Sequence, residues 1–344
     1  MENLFDLTFE DIERYISELD EPPFRADQIW QGLYCKGWNQ IDDFTPLPKS
    51  LRDSISQRFV LGELKLEKEL WSEDGLTRKY LYRLSDGAAI ETVLMSYTKR
   101  QTVCISSQVG CAMGCSFCAT GNMGFSRNLT RGEIIEQVLK TSALLVAEKK
   151  SLTNVVLMGM GEPFHNYETM MSAIRVLNDP YGFNLGMRRF TISTVGLVPE
   201  IKRFAEEQTQ INLAISLHAA DNQLRSKIVP INKKYPLDVL MAACDVYLDK
   251  TKRRLTIEWA LIEGVNDGPA QARKLAQLLA GKLYHVNLIQ LNPVKHYSGL
   301  PSHQESAARF QHILNQAGIS CTVRVRRGID IQAGCGQLAS ESRH

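Results

Sequence analysis

The hydrophobic pattern of this chain changes period twice, and each change predicts a different kind of structure. Over the first sixty residues apolar positions recur at helical spacing. Ile12, Ile16 and Leu19 fall on one face, Thr8 with Asp11 three residues on forms a capping box in front of them, and Pro22-Pro23 stops the run. A second helix is expected from about Arg25 to near Gly37, and Leu47-Pro-Lys-Ser-Leu-Arg52 opens a third. From Leu64 to Tyr97 the period shortens to that of strands. Three runs, parted by turn signals at Glu73-Asp74-Gly75 and Ser85-Asp86-Gly87, predict an antiparallel meander.

Beyond about residue 100 strand and helix patterns alternate. Strands are expected near 101–106, 153–158, 189–194, 211–217, 254–261, 284–291 and 321–326, with amphipathic helices between them. Such alternation predicts a parallel sheet, either open or closed wholly or partly into a barrel. The division expected from these changes is 1–60 helical, 61–98 a β extension and 99–344 the alternating domain. Unusual groups fall where the strands should end: the cysteines of 111–118, then Gly161-Glu162, Ser193, Ser216 with His218, Asn292, and Cys335 after the last strand. In a barrel those ends converge on one mouth. Taken singly, each has a plain structural role. Ser193 and Ser216 suit helix caps, His218 and Asn292 suit hydrogen-bonded core groups, and the glycines of Gly159-Met-Gly-Glu-Pro163 suit a tight turn.

Composition narrows the class. With 344 residues and 44% hydrophobic side chains the chain can bury a large core. No apolar run is long enough to cross a bilayer, the cysteines do not form a secreted framework, and the start Met1-Glu-Asn-Leu-Phe-Asp6 is acidic rather than Lys/Arg-led. A cytoplasmic protein without membrane association is expected. The net charge of +2 is uneven: residues 1–21 carry one Arg and eight acidic groups, whereas 188–254 carries twelve Lys/Arg against seven Asp/Glu. Arg324, Arg326 and Arg327 add a basic strand. That polarity allows a phosphate-binding face on the later part of the chain.

The cysteines carry the sharpest signal. Cys111-Ala-Met-Gly-Cys115-Ser-Phe-Cys118 places three thiols on a turn with no fourth beside them. Four thiolates would complete a tetrahedral zinc site or saturate a cubane, whereas three hold a 4Fe–4S cluster by three irons and leave the fourth open to a ligand. A zinc knuckle that borrows a distant His or Cys is the alternative. Cys35, Cys244 and Cys321 lie in apolar patterns and read as packing residues. Cys104, seven residues before Cys111, and Cys335, flanked by Gly334 and Gly336, sit at the two ends of the alternating region. If the sheet closes they meet, as a redox or nucleophilic pair.

Taken together, Cys104-Ile-Ser-Ser-Gln-Val-Gly-Cys111, Cys115-Ser-Phe-Cys118-Ala-Thr-Gly, Met123-Gly-Phe-Ser-Arg-Asn-Leu-Thr130, Gly159-Met-Gly-Glu-Pro163, Ser216-Leu-His218 and Cys335-Gly-Gln-Leu338 resemble the RlmN/Cfr family of radical S-adenosylmethionine (SAM) RNA methyltransferases. The likeness extends to Leu47-Pro-Lys-Ser-Leu-Arg52 and Ile90-Glu91-Thr92-Val93. It implies an α/β fold, a partial (β/α)6 TIM-like radical SAM barrel with a small N-terminal helical RNA-binding domain and a β extension. Carried over by position, Cys111, Cys115 and Cys118 would ligate a 4Fe–4S cluster, and Gly161, Glu162, Ser193, Ser216, Leu217, His218 and Asn292 would line the SAM site. Cys335 would be the methyl carrier, Cys104 its partner, and Glu91 a proton acceptor.

The family's scheme explains the need for two cysteines. Carbon 2 of adenine is electron-poor and does not attack a SAM methyl group as an amine would. Cys335 takes a methyl group from one SAM, a deoxyadenosyl radical from a second removes hydrogen from it, and the methylene radical adds to the ring. A base, Cys104 or Glu91, removes the ring proton, and Cys104 then attacks Cys335 to form a disulfide that frees the product. A one-electron, flavodoxin-like reductant and a disulfide reductant are implied. Within the family, the Phe125 and Pro163 contexts resemble the carbon-2 enzymes more closely than the carbon-8 enzymes that confer antibiotic resistance. The expected substrates are 23S rRNA at the peptidyl-transferase centre and tRNA beside the anticodon. A metal-containing RNA-binding protein without catalysis is the alternative from another class. One departure is Gly334, where relatives usually carry alanine, and it is expected to loosen the carrier loop.

Overall fold

The computed structural model describes residues 1–339. Strand β1 (Glu2–Asn3) pairs in parallel with β2 (Phe59–Val60), so the two ends of the helical region are tied together. Between them lie α1 (Phe9–Glu18), α2 (Phe24–Tyr34) and α3 (Lys49–Arg58). The expected capping box is present in both halves: Thr8 Oγ1 accepts from Asp11 N at 3.1 Å, and the Asp11 carboxylate accepts from Thr8 N at 2.9 Å. Such a cap contributes about 1 kcal/mol.

The meander is β3 (Lys65–Trp71), β4 (Thr77–Arg83) and β5 (Ala89–Tyr97), all antiparallel, followed by β6 (Arg100–Cys104). A hairpin that the periodicity did not reveal comes next. Strand β7 (Gln108–Gly110) pairs with β8 (Phe125–Asn128) and brackets both the cysteine loop and the short helix α4 (Ala119–Asn122). Helix α5 (Arg131–Ala147) then leads to β9 (Asn154–Leu157), which lies parallel to β6.

The remaining units alternate as expected: α6 (Tyr167–Asn178), β10 (Phe190–Thr194), α7 (Val198–Glu206), β11 (Asn212–Ser216), α8 (Asn222–Ile228), α9 (Leu237–Thr251), β12 (Leu255–Leu261), α10 (Pro269–Leu279), β13 (Tyr284–Gln290), α11 (Gln304–Gln316) and β14 (Ser320–Val323). The sheet order is β14-β13-β12-β11-β10-β9-β6-β5-β4-β3. It is therefore one ten-stranded sheet: a parallel radical SAM-type partial barrel continued by the antiparallel meander through the β5–β6 pairing. Its two edges, β3 and β14, are not paired with each other among the described residues, so the barrel stays open.

The last strand is shorter than expected. It ends at Val323, and the arginines after it fasten the departing chain instead of extending a basic strand. Arg324 N donates to Leu288 O (2.8 Å), Arg326 Nη1 to Leu291 O (3.4 Å) and Arg327 Nη1 to Ser96 O (3.3 Å).

Side chains of the sheet, among them Val155, Leu157, Ile192, Leu213, Ile215, Ile257 and Trp259, are fully buried, and Ile192, Ile215, Ile257 and Trp259 alternate along their strands with residues that line the cavity described below. The helical region docks on α5 and on the C-terminal end of α6 through polar contacts. Asn3 Nδ2 donates to Glu136 Oε1 (3.0 Å), Gly132 N to Asp6 Oδ1 (2.6 Å), and Trp30 Nε1 reaches Asp179 Oδ2 (2.7 Å).

Candidate active site

The cysteine loop is shaped by a glycine and by apolar packing. Gly110 has φ +74°, and a Cβ there would stand 1.9 Å from Gly124 O, so no other residue fits without moving backbone. Cys111 N then donates to Gly124 O (2.8 Å) and Ser116 N to Ile228 O at the end of α8 (3.1 Å). Cys115 packs against Ala219, Ile228 and Val229. Burial pushes the Cys111 thiol up to about 12, raises Cys115 well above its ordinary value, and raises Cys118. Arg225 pulls Cys115 back only in part, so without a bound metal these thiols stay protonated.

Among the described residues no three or more His, Cys, Asp or Glu converge as a single-ion site. Three soft sulfur donors on one loop fit a group that brings its own iron and sulfide, and loading it releases the thiol protons.

One cavity lies at the carboxyl ends of the parallel strands. It is an open cleft with roughly 1060 Å³ of space, solvent at its mouth included. Cys111, Cys115, Cys118, Gly161, Glu162, Ser193, Ser216, His218, Asn292 and Cys335 all line it. The sheet thus brings together residues that lie more than two hundred positions apart.

Gly161, at φ +103°, makes the turn after β9. Burial raises the Glu162 carboxyl to about 7, although Val195 N (2.9 Å) and Phe164 N (3.1 Å) both donate to it. Ser193 and Ser216 do not cap helices, since their hydroxyls face each other at 3.2 Å across β10 and β11. His218 holds φ +60° and is buried. Its Nδ1 accepts from Ala260 N (2.9 Å), and burial lowers its pKa to about 3, so the ring is neutral.

Leu217 and Glu91 stand apart from this wall. Leu217 is fully buried in the core, with its N–H on Glu258 O and its carbonyl accepting from Arg225 Nε (3.1 Å), and it is not among the lining residues. Glu91 lies on β5 outside the lining residues, and both of its oxygens are engaged. Oε1 is 3.0 Å from Lys79 Nζ, and Oε2 accepts from Ala339 N at 2.9 Å. Cys104, the last residue of β6, is also behind the wall. It is a free, buried thiol whose pKa is raised by burial and next by the neighbouring Cys335, which places the two sulfurs within electrostatic reach. Cys335 is exposed to the cavity. Its own pKa is raised by burial of the thiol and pulled back by Arg324.

Gly334 does not loosen the loop. A Cβ there would stand 2.5 Å from Asn292 Nδ2 and 2.8 Å from Gln337 Oε1, so glycine lets the loop close on Asn292, whose Nδ2 donates to Cys335 O (3.0 Å).

Two further residues shape the site and were missed in the sequence. Gln108 donates to Asn128 Oδ1 (2.8 Å) and accepts from Glu162 N (2.8 Å), which fixes the turn that presents Glu162. Glu258 sits in the cavity wall with Oε1 on Asn287 Nδ2 (2.9 Å), while buried Oε2 has no partner. A carboxylate amid the apolar run Leu255–Leu261 was its available signal.

Comparison with known proteins agrees with this geometry. The Radical SAM superfamily model matches residues 105–276, and the ribosomal RNA large subunit methyltransferase N-terminal domain model matches residues 2–61. The dual-specificity RNA methyltransferase RlmN 1 of Myxococcus xanthus is 50% identical over 98% of this chain and 94% of its own length. The probable RlmN 2 of Opitutus terrae is 47% identical over 98% of this chain and 86% of its own. A solved radical SAM methyltransferase from Sphaerobacter thermophilus superposes with a TM-score of 0.96 at 48% identity, covering 98% of this chain and 99% of that one. The chain belongs to the RlmN family of radical SAM RNA methyltransferases, enzymes that work with a 4Fe–4S cluster and S-adenosylmethionine.

Proposed function

We propose that this enzyme methylates carbon 2 of adenosine, in 23S rRNA at the peptidyl-transferase centre and in tRNA beside the anticodon, within the cytoplasm. The observation that carries the proposal is the single cavity at which the three-cysteine loop, the Gly161-Glu162 turn and Cys335 meet, with Cys104 behind it. The motifs around Phe125 and Pro163 favour carbon 2 over carbon 8. The match of residues 2–61 to a ribosomal RNA methyltransferase N-terminal model supports an RNA-binding role for the helical region.

In this reading Cys111, Cys115 and Cys118 hold the cluster, and Glu162, Ser193, Ser216, His218 and Asn292 hold SAM, with Gly161 contributing backbone. When bound, the cluster and SAM supply a methyl group and a hydrogen-abstracting radical. The buried Glu162 carboxylate is matched to an ammonium group, and neutral His218 offers Nε2–H as a donor without adding charge. Cys335 Sγ, as the thiolate, would displace the methyl group from the sulfonium of SAM, that sulfur leaving as a neutral thioether, and the target adenine leaves its stack to meet the carrier. Because Lys79 and Ala339 N occupy both oxygens of Glu91, Cys104 is assigned the ring proton, a role it fills only as the thiolate, so its buried thiol must first ionise. The odd electron of the adduct would return to the cluster, after which Cys104 sulfur attacks Cys335 Sγ, the sulfur–carbon bond breaks toward the base, and the freed carbon takes up a proton to become the methyl group. The resulting disulfide needs a two-electron external reductant.

The test is nucleoside mass spectrometry of RNA treated with reconstituted enzyme, SAM and dithionite. 2-Methyladenosine with 5′-deoxyadenosine is expected, while 8-methyladenosine or no 5′-deoxyadenosine overturns the proposal. Cys104→Ala protein is expected to stall covalently joined to RNA, visible on denaturing gels, and Cys335→Ala to give neither adduct nor product.

A further inference from the structure

The segment that carries Cys335 leaves β14 without regular structure, and two buried side chains of the meander grip its roots. On the near side Lys79 Nζ, on β4, donates to Gln332 O at 3.2 Å. Gln332 holds the left-handed value φ +54°, which a residue with a Cβ adopts at a cost. On the far side Glu91 Oε2, on the neighbouring β5, accepts from Ala339 N at 2.9 Å. Lys79 and Glu91 face each other at 3.0 Å, with side chains only 9% and 6% exposed. One ion pair therefore joins both ends of the 332–339 loop, and Cys335 lies between them.

Inside the loop the fastenings are weaker and neutral. Asn292 Nδ2 donates to Cys335 O, Gln337 Nε2 to Pro293 O (2.9 Å) and Thr120 Oγ1 to Leu338 O (2.6 Å). A sulfur that must reach first a methyl donor and then Cys104 needs a loop whose middle moves while its roots stay put. A charged, buried pair supplies fixed roots, because parting it leaves two unpaired charges out of water.

We propose that Lys79 and Glu91 are positioning residues that clamp the roots of the Cys335 loop and so set the effective concentration of the Cys335 thiol toward Cys104. Neither side chain lines the cavity or touches the transferred carbon. The inference rests on the reading of Cys104 and Cys335 as a disulfide-forming pair, and the test separates the two ideas.

The cluster-loaded enzyme is equilibrated anaerobically with mixtures of reduced and oxidised glutathione, without SAM or RNA, and the Cys104–Cys335 linkage is quantified by peptide mass spectrometry. Thiolate attack on glutathione disulfide expels one glutathione, and the second cysteine displaces the other. Two electrons thus pass from the cysteine pair to glutathione, and two thiol protons are released. The wild type is expected to form the linkage, and Lys79→Met and Glu91→Ala to lower its equilibrium constant about tenfold or more, with Lys79→Arg within about threefold of wild type.

The double variant Lys79→Met/Glu91→Met leaves no unpaired charge, so its melting temperature is expected to exceed that of either single variant. It nonetheless keeps the weakened linkage, a combination that a merely structural role would not give. Variants that fold and hold the wild-type equilibrium overturn the clamp alone, as does a double variant that regains it along with its stability. A wild type that never links Cys104 to Cys335 overturns the two-cysteine reading and the clamp with it.

Discussion

Residues 111–118 and 332–339 are both irregular backbone and both reach the same cavity, yet different forces hold them there. The cysteine loop is moulded by its immediate surroundings: the hairpin of β7 and β8 closes it, Gly110 makes its turn, and Ala219, Ile228 and Val229 pack on Cys115. The Cys335 loop packs on the core at one end, through Leu338, while Cys335 itself is exposed. The loop hangs on polar groups from Lys79, Glu91, Thr120 and Asn292, all of them remote in sequence. The difference matches the tasks proposed for the two loops. Cluster ligands stay fixed, because a misplaced thiol loses the metal, whereas a carrier has to move between partners, and a few directional bonds break and re-form more readily than a packed core.

Breaking the packed loop should have the largest effect. Cys115→Ala removes one of three thiolates, and iron and sulfide after reconstitution are expected to fall from about four each per chain to near zero, with methylation lost. Retained iron at the wild-type level would show that another side chain ligates. Paired glycine substitutions then sharpen the contrast. Gly110→Ala collides with the fixed carbonyl of Gly124 and is expected to cost about 3 kcal/mol in urea unfolding. Gly334→Ala meets the movable side chains of Asn292 and Gln337. It is expected to slow methylation about tenfold while costing under about 1 kcal/mol, as side chains yield where backbone cannot. Equal stability losses would erase the distinction between the two loops.

The most gradual effect is on pH. His218 is held neutral, its pKa lowered to about 3, so between pH 3 and 6.5 the unfolded chain binds a proton that the folded chain refuses. Stability from this group is therefore complete above pH 6.5 and falls by about 1.4 kcal/mol per unit as the pH drops below it. His218→Gln should flatten that part of the unfolding-versus-pH curve, and an unchanged slope would place the acid sensitivity elsewhere.

Some of this was legible along the chain. The cysteine spacing, the capping box at Thr8 and the strand–helix alternation all rest on neighbours within a few residues, and all three appear as read. The serines misled when taken singly. Helix α8 is capped by Asp221 and α7 has no side-chain cap, which left Ser193 and Ser216 free to face each other. Gln108 looked like any polar loop residue, since nothing nearby announces that it bonds the turn at Glu162.

By itself the sequence determined the local chemistry: three thiols at cluster spacing, a glycine turn before a carboxylate, and a late cysteine between glycines. Only the tertiary structure decided that Cys104 lies behind Cys335, that Glu91 is bound to Lys79 rather than facing the cavity, and that Gly334 makes room for Asn292. The physical reason is range. Spacing and turn preference act over a few bonds, whereas these contacts form only when a parallel sheet brings strand ends from distant parts of the chain to one mouth.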